Sequence, residues 1–383
     1  MIFYQFMSHS KIPLQEIAKL FLKLGILGFG GPAAHIAMMH QEVVVKKQWM
    51  DEQTFLDLIG ATHFIPGPNS TEMAIHIGYE KGGWKGLMVA GICFVLPAVL
   101  ITTIIAFGYK LYGHLPVIQP FIYGIKPAII AIVIGAVIPL AKKSFKNYTL
   151  IALAVLVLVG MLFFQLNEIV LLFGAGLLAI VWNAVKNKKV LHSFVPFAIF
   201  PLLQLSAIFQ TTNGKLFWLM LKIGAILYGS GYVLFAFLDT ALVQEGWISK
   251  TVLMDAIAVG QFTPGPVFSS VTFLGFQING WSGALVATLG IFLPSFVFVV
   301  LLNPLVKKLR KSSTFALFLD AVNAASIALV VGVCYSMAKD SIMDWRTTLI
   351  MIISLIISIA FKKTNSALIV GLGAGLGYAL SYL

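Results

Sequence analysis

Charge is scarce in this 383-residue chain: Asp, Glu, Lys and Arg make up 10% of it, against the roughly 25% usual in soluble domains. A water-soluble fold is excluded by that shortage, by a hydrophobic content of 59% and by a mean hydropathy of +0.96. Acidic residues are the scarcer kind, 14 against 26 basic, for a net charge of +12. In a soluble protein such an excess would suggest nucleic acid. Here the basic residues gather in short loops between apolar segments, where retention on the cytoplasmic side accounts for them, and no nucleic-acid partner is expected. Cysteine is nearly absent: Cys93 and Cys334 both sit in apolar segments and suit small packing roles, not a disulfide or a metal pair. Histidine is missing from residues 214–383. His35, His40, His63 and His76 show no His-Glu-x-x-His spacing, so no metal is expected. No Gly-Lys-Ser/Thr phosphate loop and no Gly-x-Ser-x-Gly elbow occur, which removes direct ATP hydrolysis and serine chemistry, and no cofactor is implied. The first residues, MIFYQFMSHSKIP, place no basic residue ahead of an apolar core and offer no small-residue cleavage site, so no removable signal peptide is expected.

Long apolar runs dominate what is present, among them residues 87–108 and 149–164. These approach the roughly 20 residues a helix needs to cross a bilayer, and backbone satisfaction in lipid favours helices over strands. The chain also repeats itself. An offset of 198 pairs Trp49 with Trp247, Asp57 with Asp255, and Pro66-Gly67-Pro68 with Pro264-Gly265-Pro266. An offset of 197 then pairs Gly78/Gly275, Gly83/Gly280, Trp84/Trp281, Pro97/Pro294, Gly135/Gly332 and Gly176/Gly373. Upstream, Lys23 and Gly25 meet Lys222 and Gly224. The expectation is an all-α integral membrane protein. A first repeat covers 14–189, a linker 190–213 lies in the interface because two prolines disfavour a full span, and a second repeat covers 214–383.

Each repeat reads as five spans, in the first at about 15–40, 86–108, 118–141, 148–165 and 168–185. The basic loops disagree between repeats. In the first, Lys142, Lys143 and Lys146 follow the third span, and Lys186, Lys188 and Lys189 follow the fifth. In the second, Lys307, Lys308, Arg310 and Lys311 follow the second span. By the positive-inside rule the repeats insert in opposite orientations, about ten transmembrane helices in all, and an odd number of spans per repeat produces that inversion. Lys11, Lys19 and Lys23 fit this scheme poorly, as though the first segment does not cross fully. Inverted repeats with discontinuous helices at a midplane site are the layout of secondary transporters.

Broken or re-entrant helices are expected at each Pro-Gly-Pro, because proline lacks an N–H and disfavours helix in the residue before it. Pro68 suits the first helical position, leaving the amides of Asn69, Ser70 and Thr71 free; the counterparts are Val267, Phe268 and Ser269. Free helix N-termini attract anions. A simple kink in a packing helix is the competing reading. GILGFGGPAAH at 25–35, with Gly30 and Gly31, and its echo GAILYGSGY at 224–232, with Gly229, read as a second pair of unwound stretches or as close packing through small residues. GLGAGLG at 371–377 reads as packing. Ionisable groups in these regions are the sharper clue. Lys23, Lys222 and Lys126 are candidates for cargo binding, unless they snorkel to the interface. Asp57, Glu72, Asp255 and His63 are candidates for proton coupling. One helix N-terminus supplies about half an elementary charge, so a dianion needs at least one lysine besides, and Lys23 with Lys222 is the symmetrical choice.

With GFGGP followed by PGP, both echoed in the other half, and GIKPAIIA against AVNAASIA at 321–328, the chain resembles the chromate ion transporter family in its two-domain form. The resemblance spans nearly the whole length and implies an inner-membrane carrier that exports chromate and confers resistance, some members being linked to sulfate. The family's glycine-proline motif falls on Gly28, Phe29, Gly30, Gly31 and Pro32, and its Pro-Gly-Pro on residues 66–68 and 264–266. YGSGY lacks the proline, so the halves divide the work. The expected partners are an oxyanion such as chromate or sulfate and the lipid bilayer, and the layout allows a homodimer. A sulfate carrier, and a membrane-embedded enzyme acting on an anionic lipid, are the alternatives.

Overall fold

The computed structural model describes residues 12–113, 115–187, 211–228, 231–309, 312–361 and 364–381. Most of the expected linker, and Gly229, therefore lie outside the described residues. The first repeat runs α1 (Leu14–Leu27), α2 (Pro32–His40) continuing into a π-helical turn (Gln41–Lys46), α3 (Glu52–Thr62), α4 (Asn69–Tyr112), α5 (Gln119–Ser144), α6 (Tyr148–Phe164) and α7 (Glu168–Asn187). The second matches it with α8 (Thr212–Ile226), α9 (Val233–Leu238) and a π-helical turn (Asp239–Gln244), and α10 (Lys250–Phe262). A 3-10 turn (Val267–Ser269) then leads to α11 (Ser270–Leu309), α12 (Ser313–Ser341), α13 (Trp345–Ala360) and α14 (Ser366–Leu380).

Local chemistry sets where these helices begin. Asp51, Asn147, Ser249 and Asp344 each accept a hydrogen bond from the backbone N–H three residues on, capping α3, α6, α10 and α13. The caps are equivalent between repeats, Asp51 with Ser249 and Asn147 with Asp344. Helices stop where glycine and proline crowd, at 28–31 and 63–68. There Gly30 and Gly67 take φ of +108° and +136°, outside what other residues adopt readily.

The expected second span at 86–108 is part of a larger element. α4 reverses at Gly83 (φ 60°, ψ −149°) and α11 at Gly280 (φ 59°, ψ −146°). A Cβ on Gly78 would run into the carbonyl of Gly86, and one on Gly275 into that of Gly283. Eight residues of straight helix span about 12 Å, so each long helix is a hairpin whose arms cross at these glycines.

The apolar surface fits a bilayer. On the second arm of α4, Met88, Ile92, Leu96, Leu100 and Ile104 form an exposed stripe at every fourth position; Leu285, Leu289, Leu293, Val297 and Leu301 repeat it on α11. Among the described residues α4, α5, α7, α11 and α12 are long and apolar enough to cross, while α6, α13 and α14 are shorter apolar helices. The chain is a multi-pass membrane protein. α12 is the central helix, 78% of its apolar stretch being buried against 39% in α7.

The repeats interlock. α1 packs on α4 and α8 on α11; across the repeats α5 packs with α13 and α14, and α12 with α6 and α7. Equivalent helices run antiparallel. Lys146, just past the end of α5, pairs with Asp320 near the start of α12 at 2.7 Å, and Tyr123 near the start of α5 donates to Asp344 beyond the end of α12. Likewise Gln277, before the α11 reversal, donates to the Ala106 carbonyl near the end of α4 at 3.0 Å. Of the GLGAGLG glycines, Gly373 and Gly377 press on Gly124 of α5, where any Cβ would meet backbone.

Candidate functional site

The two kinds of break meet across the repeats. The Gly67 N–H donates to the carbonyl of Leu227 at 2.8 Å, and the Gly265 N–H donates to the carbonyl of Gly28 at 2.7 Å. Residues 28 and 227, like 67 and 265, are repeat counterparts, so these bonds are one contact made twice about a pseudo-twofold axis. Each Pro-Gly-Pro is thereby tied to the glycine break of the other repeat. Pro66, Gly67, Pro68, Pro264, Gly265 and Pro266 are all buried there.

Helix starts at these joints differ from the expected register. Pro68 is the N-cap (φ −79°, ψ 100°) and Asn69 the first helical residue. Thr71 is not a free donor, because its amide closes a turn on the Pro68 carbonyl at 2.8 Å. Ser269 does the same on Pro266 at 2.9 Å. Tight first turns of this kind use an amide that a regular α-helical start leaves open. Asn69 and Ser70 remain at the open end of α4. α2 starts at Gly31 and Pro32, and the buried His35 ring bonds the Gly28 carbonyl through Nε2 at 2.8 Å.

The polar content of the joints is unequal. Beside Gly67 lie the Glu72 carboxyl and the Ser295 hydroxyl, both of which a Cβ on Gly67 would strike. Glu72 and Ser295 are wholly buried, and among the described residues neither Glu72 oxygen nor Ser295 Oγ has a hydrogen-bond partner; the same holds for both ring nitrogens of buried His76. Beside Gly265 the corresponding neighbour is the methyl of Ala98, 2.8 Å from where a Cβ would sit. Thr102 Oγ1 reaches Ser269 Oγ at 3.5 Å in that second joint.

Lys23 has a carboxylate partner within its own repeat. Lys23 bonds Glu42 at 3.0 Å, and Glu42 is shared with Lys46 at 2.7 Å. Those two partners, Lys46 first, hold the Glu42 carboxyl below its ordinary value. Lys222 stays on α8, which packs on α11 as α1 packs on α4. A lysine one turn before a helix break meets whatever carboxylate the following turn supplies, and the long-range pairing was invisible in the sequence. Asp57 is exposed on α3, close to Gln53, and His63 is exposed just after that helix. Asp255 is buried and accepts a hydrogen bond from Tyr109 of the first repeat at 2.6 Å, with Lys126 near enough to act on its charge.

Ser295 and Tyr109 escaped the sequence reading. A signal existed for Ser295: after the matched prolines Pro97 and Pro294, one repeat has alanine and the other serine. Departures from repeat symmetry mark where two otherwise equivalent halves do different chemistry.

Comparison with known proteins agrees with this layout. A family profile described as chromate transporter matches residues 15–180 and 214–378. The chain is 34% identical over 370 residues to a chromate transport protein of Cupriavidus metallidurans, covering 95% of this chain and 92% of that one. It is 31% identical to a probable chromate transport protein of Synechococcus elongatus, covering 96% and 95%, and 26% identical to an uncharacterized transporter of Methanocaldococcus jannaschii, covering 94% and 92%. No solved structure matches the chain.

Proposed function

Because the chain belongs to the chromate transporter family, we propose that it exports a tetrahedral oxyanion, chromate foremost, by alternating access between its two repeats. One observation carries this reading. The reciprocal Gly67–Leu227 and Gly265–Gly28 bonds tie the four interrupted segments into two equivalent pairs across the repeats, which supports the arrangement by which carriers bind cargo between inverted repeats. Antiparallel α5 and α12 support opposite insertion of the repeats, since an axis that reverses helix direction lies in the plane of the bilayer. The open amides at Asn69 and Ser70, with Gly30 and Gly31 at the start of α2, supply donors of the kind an oxyanion takes.

Charge gives the direction. A bacterial membrane is negative inside, and moving one charge through 100 mV is worth about 2.3 kcal/mol, hence about 4.6 for a dianion. Export runs downhill electrically, whereas uptake needs several accompanying cations. The family and its relatives are transporters, which sets aside the membrane-embedded enzyme. Sulfate shares chromate's shape and charge and is the second cargo to test. Purified protein in liposomes with an imposed inside-negative potential is expected to expel chromate, and a sensitive bacterial host expressing it to tolerate chromate, less so with excess sulfate if the two compete. Retention of chromate in those liposomes would overturn the export reading.

A further inference from the structure

The two pseudo-equivalent joints differ in one respect that bears on energy coupling. At Gly67 the neighbours are Glu72 and Ser295; at Gly265 the neighbour is Ala98, the repeat counterpart of Ser295. Glu72 itself corresponds to a serine, Ser270, in the other repeat. Among the described residues, only the first joint therefore sets a carboxyl group against the glycine of its Pro-Gly-Pro. Glu72 is 0% exposed with both oxygens unpartnered, and Ser295 from the other repeat is 0% exposed with its hydroxyl unpartnered. The titratable groups facing the carboxyl are His76, one turn on along α4, and Tyr228, from the glycine break of the second repeat. Among the described residues no charged side chain acts on it.

A carboxylate with neither counter-ion nor donor carries the whole cost of leaving water, and a bound dianion nearby adds repulsion. A neutral carboxyl removes both penalties and offers an O–H to the anion. We propose that Glu72 is the proton-carrying residue of this transporter, taking one proton from the side to which the Gly67 joint opens, keeping it while the oxyanion is bound, and releasing it on the opposite side. The step balances as carboxylate plus proton to carboxylic acid and back, so a dianion and one proton cross together with a net charge of −1. This rests on the oxyanion-carrier reading. Of the candidates named from sequence, Asp57 and His63 are exposed and Asp255 is engaged by Tyr109, which leaves Glu72 as the buried candidate with no hydrogen-bond partner among the described residues, at the joint between repeats.

The test uses the full-length protein in liposomes loaded with a pH-sensitive dye, voltage clamped near zero, under a chromate gradient and then a sulfate gradient. Wild type is expected to move about one proton in the same direction as each anion. Glu72→Gln is expected to cut that proton flux at least about tenfold and to make anion counterflow indifferent to pH between about 6 and 8, and Glu72→Asp to restore both. Anion flux without protons in wild type overturns the proposal. So does a proton flux that persists in Glu72→Gln, since protons carried by hydrogen chromate itself would survive that change. If the glutamine variant does not fold, the wild-type sulfate trace decides alone. Absence of any chromate or sulfate flux in wild type overturns the carrier reading, and this inference with it.

Discussion

At Gly67 the backbone takes φ +136° and the space where a Cβ would sit is filled by the Glu72 carboxyl and the Ser295 hydroxyl. Two separate penalties thus fall on any side chain there, backbone strain and overpacking, each about 1–3 kcal/mol. Gly108, farther along α4, has ordinary helical geometry and, among the described residues, nothing within 4 Å of where a Cβ would sit. Gly67→Ala is expected to lower thermal stability in detergent and to abolish anion transport. Gly108→Ala should leave transport intact and add up to about 1 kcal/mol, the helix-propensity difference. Equal effects of the two substitutions would contradict the assignment of Gly67 to the joint. The Pro-Gly-Pro around Gly67 stands out in the sequence because proline and glycine impose their geometry locally. Its neighbour Ser295 comes from the other repeat, and only folding brings it there.

Helix starts offer the clearest link from sequence to element. Asp344 caps α13 through a reciprocal box with Thr347, and its counterpart in the first repeat, Asn147, caps α6 with a side chain that does not titrate. Hydrogen bonds from the Thr347 backbone, then from Tyr123, hold the Asp344 carboxyl below its ordinary value. A depressed value means the cap's contribution is fully present above the unfolded carboxylate pKa, about 3.9, and is lost as pH falls through the lower folded value. Asp344→Asn, which keeps a cap acceptor, should therefore flatten the acid limb of the stability profile, and Asp344→Ala should cost about 1 kcal/mol near neutrality. Thermal unfolding across pH in detergent measures both, and an unchanged acid limb in Asp344→Asn would count against the cap. The reversals at Gly83 and Gly280 were harder to read, because a glycine in an apolar run serves a turn or a close contact equally well until its neighbours in space are known.

For the whole molecule, the basic loops and the packing make one joint prediction. Lys142 and Lys143 lie in the last turn of α5 and Lys146 just past it, and in sequence Lys307, Lys308, Arg310 and Lys311 precede α12; the Lys146–Asp320 pair brings the end of α5 and the start of α12 to the same end of the molecule. Cysteines introduced at Lys143 and Ser313, in a background with Cys93 and Cys334 replaced, are expected to label from the cytoplasmic side. One introduced at Met343 should label from the opposite side. Labelling of Lys143→Cys and Ser313→Cys from opposite faces would remove the inverted arrangement and the midplane site with it.

The sequence by itself determined the membrane setting, the duplication and the places where proline and glycine stop a helix, since each follows from composition or from residues a few positions apart. The tertiary structure alone decided which groups meet: Gly67 with Leu227, Gly265 with Gly28, Lys23 with Glu42, and Ser295 against Glu72. Those contacts depend on how two repeats interlock, and a side chain's partner across such an interface is set by packing that no local pattern encodes.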